Sequence, residues 1–300
     1  MADRDQETLD ENEDSNESES TDEEGEASDH EAYESIIQGN EEELSAPYVE
    51  MNRKKKKALL EFRCMIEDAI LGNYLLGKPN QYLSKSEVAK QREILREITL
   101  WGVPLLPSKS HEGTDIVLLK FLRAKDFHVH DAFQMLRRTL KWRKEYKADE
   151  ILEEKLSHDI GLKLLDLNSR DKEGHPLCYS VYEGFKDREV YNMAFGSEEK
   201  CEKFLRWKIQ HIEKGIKKLE FKNGGVDSIV QITDLKNSPG LVMKELRSVS
   251  KKALLLLQEN YPELIHKNVS IVLNYIMKSI FVTSHYVLQF GKMLCIIIDM

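Results

Sequence analysis

Leu205, Ile209, Ile212, Ile216 and Leu219 recur at intervals of 4, 3, 4 and 3, the period of one helix face, and Ser197 ahead of them is a capping residue. A second helix is predicted over Lys244–Asn260, with Leu246, Val249, Ala253, Leu256 and Leu257 inward, stopped by Tyr261-Pro262-Glu263. Upstream, Leu59, Phe62, Ile66, Ala69 and Ile70 make one apolar face of a helix over 58–76. Two more helices are predicted at 115–125 and 131–146, each opening on an aspartate in the capping role, with Phe133, Leu136, Leu140 and Trp142 or Arg143 inward. The period changes to two at His175–Tyr182 and again at Ile229–Thr233, which read as strands. Turn chemistry punctuates the chain at Trp101–Pro104, Arg170–Gly174, Asn223–Gly225 and Asn237–Gly240, and residues 77–84 have the character of a linker. Strand, helix, strand, helix and a possible further strand make an α/β unit with at least some parallel pairing.

Particular motifs sharpen that outline. LLKFLRA occupies Leu118–Ala124, Trp142-Arg143 follows in the next helix, and QENYPELIHKN runs from Gln258 to Asn268. In these motifs and their spacing the chain resembles the CRAL-TRIO family, the relatives of the yeast phosphatidylinositol transfer protein, and within it the plant patellins. The resemblance covers about residues 90–268 and implies an N-terminal helical subdomain over 87–150 and a partial βαβ lipid-binding domain over 151–268; composition and pattern mark a disordered acidic tail over 1–50 and a basic amphipathic helix and linker over 51–84. It also implies that the sheet opens into an apolar pocket, with Leu177, Tyr179, Val181, Val230 and Ile232 as lining residues and Glu263 near a headgroup or gate. Taken alone, those strand residues fit an ordinary closed core equally well. Two departures bear on the headgroup. Leu264 stands where the yeast founder has an arginine, and Lys125-Asp126 stands where it has two basic residues.

After Asn268 the resemblance leads to an apolar strand, a gating helix and a basic segment, whereas the chain reads VSIVLNYIMKSIFVTSHYVLQFGKMLCIIIDM. Val269-Ser270 is what a reading frame yields through a splice-donor consensus, and the tail is rich in residues common in translated A/T-rich DNA. Residues 269–300 therefore read either as a retained intron, leaving the chain truncated before the GOLD domain of patellins, or as a divergent strand over 269–273 followed by an unusual helix.

Charge divides the molecule. Residues 1–50 hold 20 Asp or Glu against the single base Arg4, so the overall −9 conceals a body of +10. So little apolar surface cannot offset the entropy of folding, and Ser15, Ser18, Ser20 and Thr21 among the acids look like acidophilic-kinase sites. Arg53, Lys54, Lys55, Lys56 and Lys57 precede the first amphipathic helix and could meet an anionic membrane surface, a nuclear-import receptor or the acidic tail; simple solvation is the plain alternative.

Four widely spread cysteines without a CxxC pair argue against a zinc module or disulfide framework. HExxH, GxSxG and GxxxxGK[ST] motifs are all lacking, and His211 and His266, in or beside helices, read as ordinary residues. We therefore expect no enzyme, metal or cofactor, and no nucleic-acid partner. No stretch approaches the ~18 apolar residues of a membrane span. The expected function is a cytoplasmic, peripherally membrane-associated protein that binds or transfers a phospholipid, by resemblance a phosphoinositide, in trafficking and cell-plate formation. The alternative is an interaction scaffold, or a truncated product without a working pocket.

Overall fold

The computed structural model describes residues 51–77, 84–156, 169–235, 244–272 and 293–297. The expectations for the acidic tail, for most of the 77–84 linker, for the Asn237–Gly240 turn and for most of the C-terminal tail lie outside those residues.

The N-terminal part is helical. Helix α1 (Arg53–Leu71) starts at Asn52, whose side chain accepts from the Lys55 amide. The basic run therefore forms the first turn of the helix and does not merely precede it. Leu59, Phe62, Ile66, Ala69 and Ile70 are all fully buried. Helix α2 (Lys85–Arg96) is set by a capping box, Ser84 with Glu87, a signature that sequence periodicity alone passed over. Strands β1 (Thr99–Leu100) and β2 (Val103–Pro104) close a hairpin on Trp101 and Gly102, whose φ angles of 53° and 83° are those a type I′ turn requires.

Helices α3 (Glu112–Arg123) and α4 (Val129–Tyr146) both begin earlier than expected, and neither expected aspartate caps. His111 caps α3 by accepting from the Gly113 amide. Asp115 instead lies buried one turn in, where Arg63 of α1 meets it at 2.5 Å. Asp131 likewise lies in the first turn of α4, after His128. An ion pair between two packed helices has taken the place of a local cap.

The α/β part is built on one sheet of order β3-β4-β5-β6, with every described pair parallel. Its strands are β3 (Leu177–Val181), β4 (Ile229–Asp234), β5 (Ile265–Val272) and β6 (Met293–Ile297). Between β3 and β4 come α5 (Arg188–Phe195), capped by Asp187, and α6 (Glu198–Ile216), capped by Ser197. Helix α7 (Lys244–Asn260) joins β4 to β5. The boundary expected at Asn268 falls inside β5, which stays paired with β4 through Ile271. His266 therefore belongs to a strand, not to the neighbourhood of a helix.

Two cores result. Tyr182, Phe185, Tyr191, Phe195, Phe204 and Trp207 form an aromatic cluster closed by Leu246 and Val249 of α7. The second packs Cys178 and Ile229 of the sheet against Ile209, Ile212 and Ile216 of α6 and Leu257 of α7. Gly215 makes that contact possible, since a Cβ there would lie 2.6 Å from the Cys178 sulfur. Among the described residues no helix is long and apolar enough to cross a membrane.

Candidate functional site

In a parallel sheet, residues in register point to the same face. Leu177 pairs with Val230, Tyr179 with Ile232, and Ile232 in turn with Val269. Leu177, Tyr179, Val181, Val230 and Ile232 therefore stand together on one face, and β5 adds Val269. Cys178 and Ser180 point to the opposite, buried face, where α6 packs. The six near-face residues belong to neither of the two cores described above. Val230 and Val269 are buried, whereas Leu177, Tyr179, Val181 and Ile232 are only half-buried.

One polar pair interrupts this apolar surface. The Tyr179 hydroxyl donates to the Asp234 carboxylate at 2.9 Å, near the carboxyl ends of the strands. Burial, and then the neighbouring carboxylate, push the phenol up to about 12, so it remains a hydrogen-bond donor at neutral pH. Cys178 beneath is pushed up to about 12 by burial and is an inert thiol.

Glu263 does not join this face. It lies in the turn ahead of β5 with φ of 52°, its side chain exposed, at the amino ends of the strands. Its backbone carbonyl accepts from the Lys120 ammonium at 3.1 Å. Leu264, where an arginine would answer a phosphate, is fully buried in the second core. Nor does the basic helix start approach the sheet residues. Lys54 and Lys57 line a surface groove of roughly 420 Å³ with Phe127 and His130, and Lys55 sits 5.0 Å over the Phe127 ring. That groove is open and lies among α1 and the start of α4. It offers a cationic rim and no enclosure for an acyl chain.

The two helical motifs do something sequence reasoning missed. Lys120 of LLKFLRA is 1% exposed and pairs with Asp227 at 2.9 Å as well as with the Glu263 carbonyl. Burial lowers its pKa while Asp227 opposes the shift. Arg143 of the Trp-Arg pair is bound by Glu213 of α6 at 2.7 Å, and Tyr261 donates to the same carboxylate at 2.6 Å. Trp101 stacks with Phe121, Phe221 and Tyr261, and Trp142 meets Tyr261 edge-on at 5.8 Å. These side chains seal the helical part to the sheet-bearing part. The clue in the sequence was the co-occurrence of Lys, Arg and Tyr inside otherwise apolar motifs.

Comparison with known proteins agrees with this arrangement. The profile described as the CRAL/TRIO domain matches residues 163–289, and that of the CRAL/TRIO N-terminal domain matches residues 81–138. The chain belongs to the CRAL-TRIO family and is of patellin type. The first match continues past Asn268, where the sequence had been expected to depart from the family. Patellin-3 of Arabidopsis thaliana is 43% identical over 229 residues, covering 76% of this chain and 43% of that protein. Patellin-4 of the same plant is 51% identical over 176 residues, covering 59% and 32%. The chain thus spans less than half the length of either patellin. A phosphatidylinositol transfer protein, SFH5, of Meyerozyma guilliermondii is 26% identical over 175 residues, 55% of this chain and 52% of its own length. The crystal structure of Sfh5 superposes with a TM-score of 0.59 at 18% identity, over 81% of this chain and 80% of that one, which establishes a shared fold.

Proposed function

We propose that this chain binds a phospholipid, with the acyl chains lying on the near face of the sheet against Leu177, Tyr179, Val181, Val230 and Ile232. The observation that carries the reading is that apolar face, which the register assembles outside both cores. A lipid site needs a broad apolar floor and a few polar groups to fix the head, and Tyr179 with Asp234 supplies such a pair. The name of the SFH5 relative supports a phosphatidylinositol-type ligand; phosphoinositide preference, trafficking and cell-plate roles are what the patellin resemblance adds. Arg53–Lys57 would hold the protein to an anionic cytoplasmic membrane surface. Five cations at the start of α1 oppose the helix dipole. A negatively charged membrane relieves that repulsion.

The test is lipid uptake from vesicles, read by mass spectrometry of the re-isolated protein. Ile232→Asp and Val181→Asp put a charge on a half-buried apolar position and are expected to lower uptake at least about tenfold, equivalent to about 1.4 kcal/mol. Melting curves establish that each variant is folded. Undiminished uptake by both folded variants overturns the site, and a wild-type chain that takes up no lipid favours the scaffold reading. Lys54→Glu with Lys55→Glu should weaken flotation on anionic vesicles at low salt only, since screening sets in beyond roughly 8 Å at physiological salt. Equal flotation of that variant and wild type removes the electrostatic half of the proposal.

A further inference from the structure

A third cluster lies at the amino end of the same face and takes no part in the lipid reading. His175 precedes β3, His266 belongs to β5, and their rings stack across the start of β4 with centroids 4.0 Å apart and planes within 12°. A register irregularity brings this about. Ile229 pairs with Ile265 but Val230 with Lys267, so His266 is the extra residue of a bulge. Bulges re-aim a side chain at the expense of ladder pairing, and here the re-aimed ring lands on His175.

Glu173 completes the group. One of its carboxylate oxygens is 3.4 Å from His266 Nε2 and 3.8 Å from His175 Nδ1. Among the described residues this is the cluster whose His and carboxylate donor atoms all lie within 4.8 Å of one another. The loop that carries it is preformed. Asp171 accepts from the Glu173 and His175 amides at 2.9 and 2.8 Å, and Arg170 donates to the Gly174 carbonyl at 2.6 Å. Asp171 also approaches His175 Nδ1 at 3.1 Å; with that nitrogen held by the carboxylate, Nε2 is left as the ligating atom, the carboxylate-to-imidazole pattern of a metal-bound histidine.

We propose that Glu173, His175 and His266 bind one divalent transition-metal ion of the zinc class, which staples the lead-in of β3 to β5. Two imidazoles and one carboxylate are a borderline donor set, suited to Zn²⁺ and to Co²⁺ as its probe, and leave a fourth position for water. Bond lengths of about 2.0–2.1 Å require donor separations of roughly 3–3.5 Å. The Glu173–His266 pair already meets that span, and Glu173, being exposed, can swing to close the rest. Lys267, 3.8 Å from the other Glu173 oxygen, is the competing cation and is displaced into solvent as the metal enters.

The full chain, stripped of metal by a chelator, is titrated with ZnCl₂ in a calorimeter and with CoCl₂ in a spectrophotometer. One equivalent should bind with micromolar affinity, raise the melting temperature and give the visible bands of a low-coordinate N/O cobalt site. In ¹⁵N spectra of the imidazoles, the His175 and His266 resonances should shift together. His175→Ala and His266→Ala should each weaken binding at least about tenfold. Glu173→Gln, at an exposed position that leaves the fold undisturbed, should do the same. Lack of saturable binding up to about 1 mM, or an affinity unchanged in all three variants, overturns the proposal. Because the readouts are metal affinity and spectra, loss of the lipid site leaves this result unaffected.

Discussion

Replacing Arg143 with methionine is expected to cost about 3–5 kcal/mol of stability, a large share of what holds a domain of this size together. Arg143 is 4% exposed, holds Glu213 through two nitrogens at 2.7 and 3.4 Å, and reaches the exposed Asp149 at 2.5 Å. Removing it leaves a buried carboxylate with only the Tyr261 hydroxyl for company. Glu213→Leu alone should be less damaging, because Asp149 still pairs the guanidinium that Glu213 leaves behind. The pair of substitutions together should cost much less than the sum, since no buried charge is then left unpaired. Urea denaturation of wild type, both single variants and the double variant measures the coupling. Single effects below about 1 kcal/mol, or strict additivity, would show that the network does not tie the helical part to the sheet.

That network also explains how far the sequence could be read. Periodicity is a local property, so it located α6, α7 and the buried face of α1 closely, and the motif spacing pointed to the correct family. It failed where a distant partner decides the outcome. Asp115 looked like a cap because aspartate before an apolar run usually caps, yet Arg63, 52 positions away in the chain, draws it into an ion pair. Lys120 interrupts a leucine stripe, and Asp227 and the Glu263 carbonyl make its burial tolerable. Asp187 heads a short helix of eight residues, too brief to show two full repeats of an apolar face.

The candidate site divides in the same way. The alternation of β3 and β4 was visible, so the five strand residues named from it stand on one face. Glu263 was assigned by resemblance and not by periodicity, and the turn that precedes β5 carries it to the far end of the strands. The pairing of His175 with His266 depends on a bulge, and no local pattern encodes a bulge between strands that are remote in sequence. The break expected at Asn268 rested on motif identity, whereas the backbone pairing of β5 with β4 runs on past it to Ile271.

His211 should make the protein acid-labile in a way a single substitution removes. It lies in α6 at 4% exposure, its ring parallel to Trp207 with centroids 6.0 Å apart. Neither ring nitrogen has a hydrogen-bond partner among the described residues. Burial, followed by Lys208 and Lys214, holds its pKa at about 4, against an ordinary value of 6.5. The folded state therefore requires the neutral ring, while the unfolded chain accepts a proton below pH 6.5. The resulting stability is fully present above 6.5 and is lost as pH falls from 6.5 towards 4, to a total of about 3 kcal/mol. Glu154 and Asp171, whose pKa values are also lowered, titrate with the same sign, so the slope of wild type alone is not diagnostic. The comparison with His211→Leu is. Leucine matches the histidine in volume and leaves no buried nitrogen unsatisfied, so the variant should be at least as stable at pH 7 and should fall less steeply towards pH 4. Urea midpoints measured across that range give both slopes. Parallel curves for the two proteins would mean that His211 finds a proton acceptor in the folded state, and that the lability of the fold at low pH comes from its carboxylates.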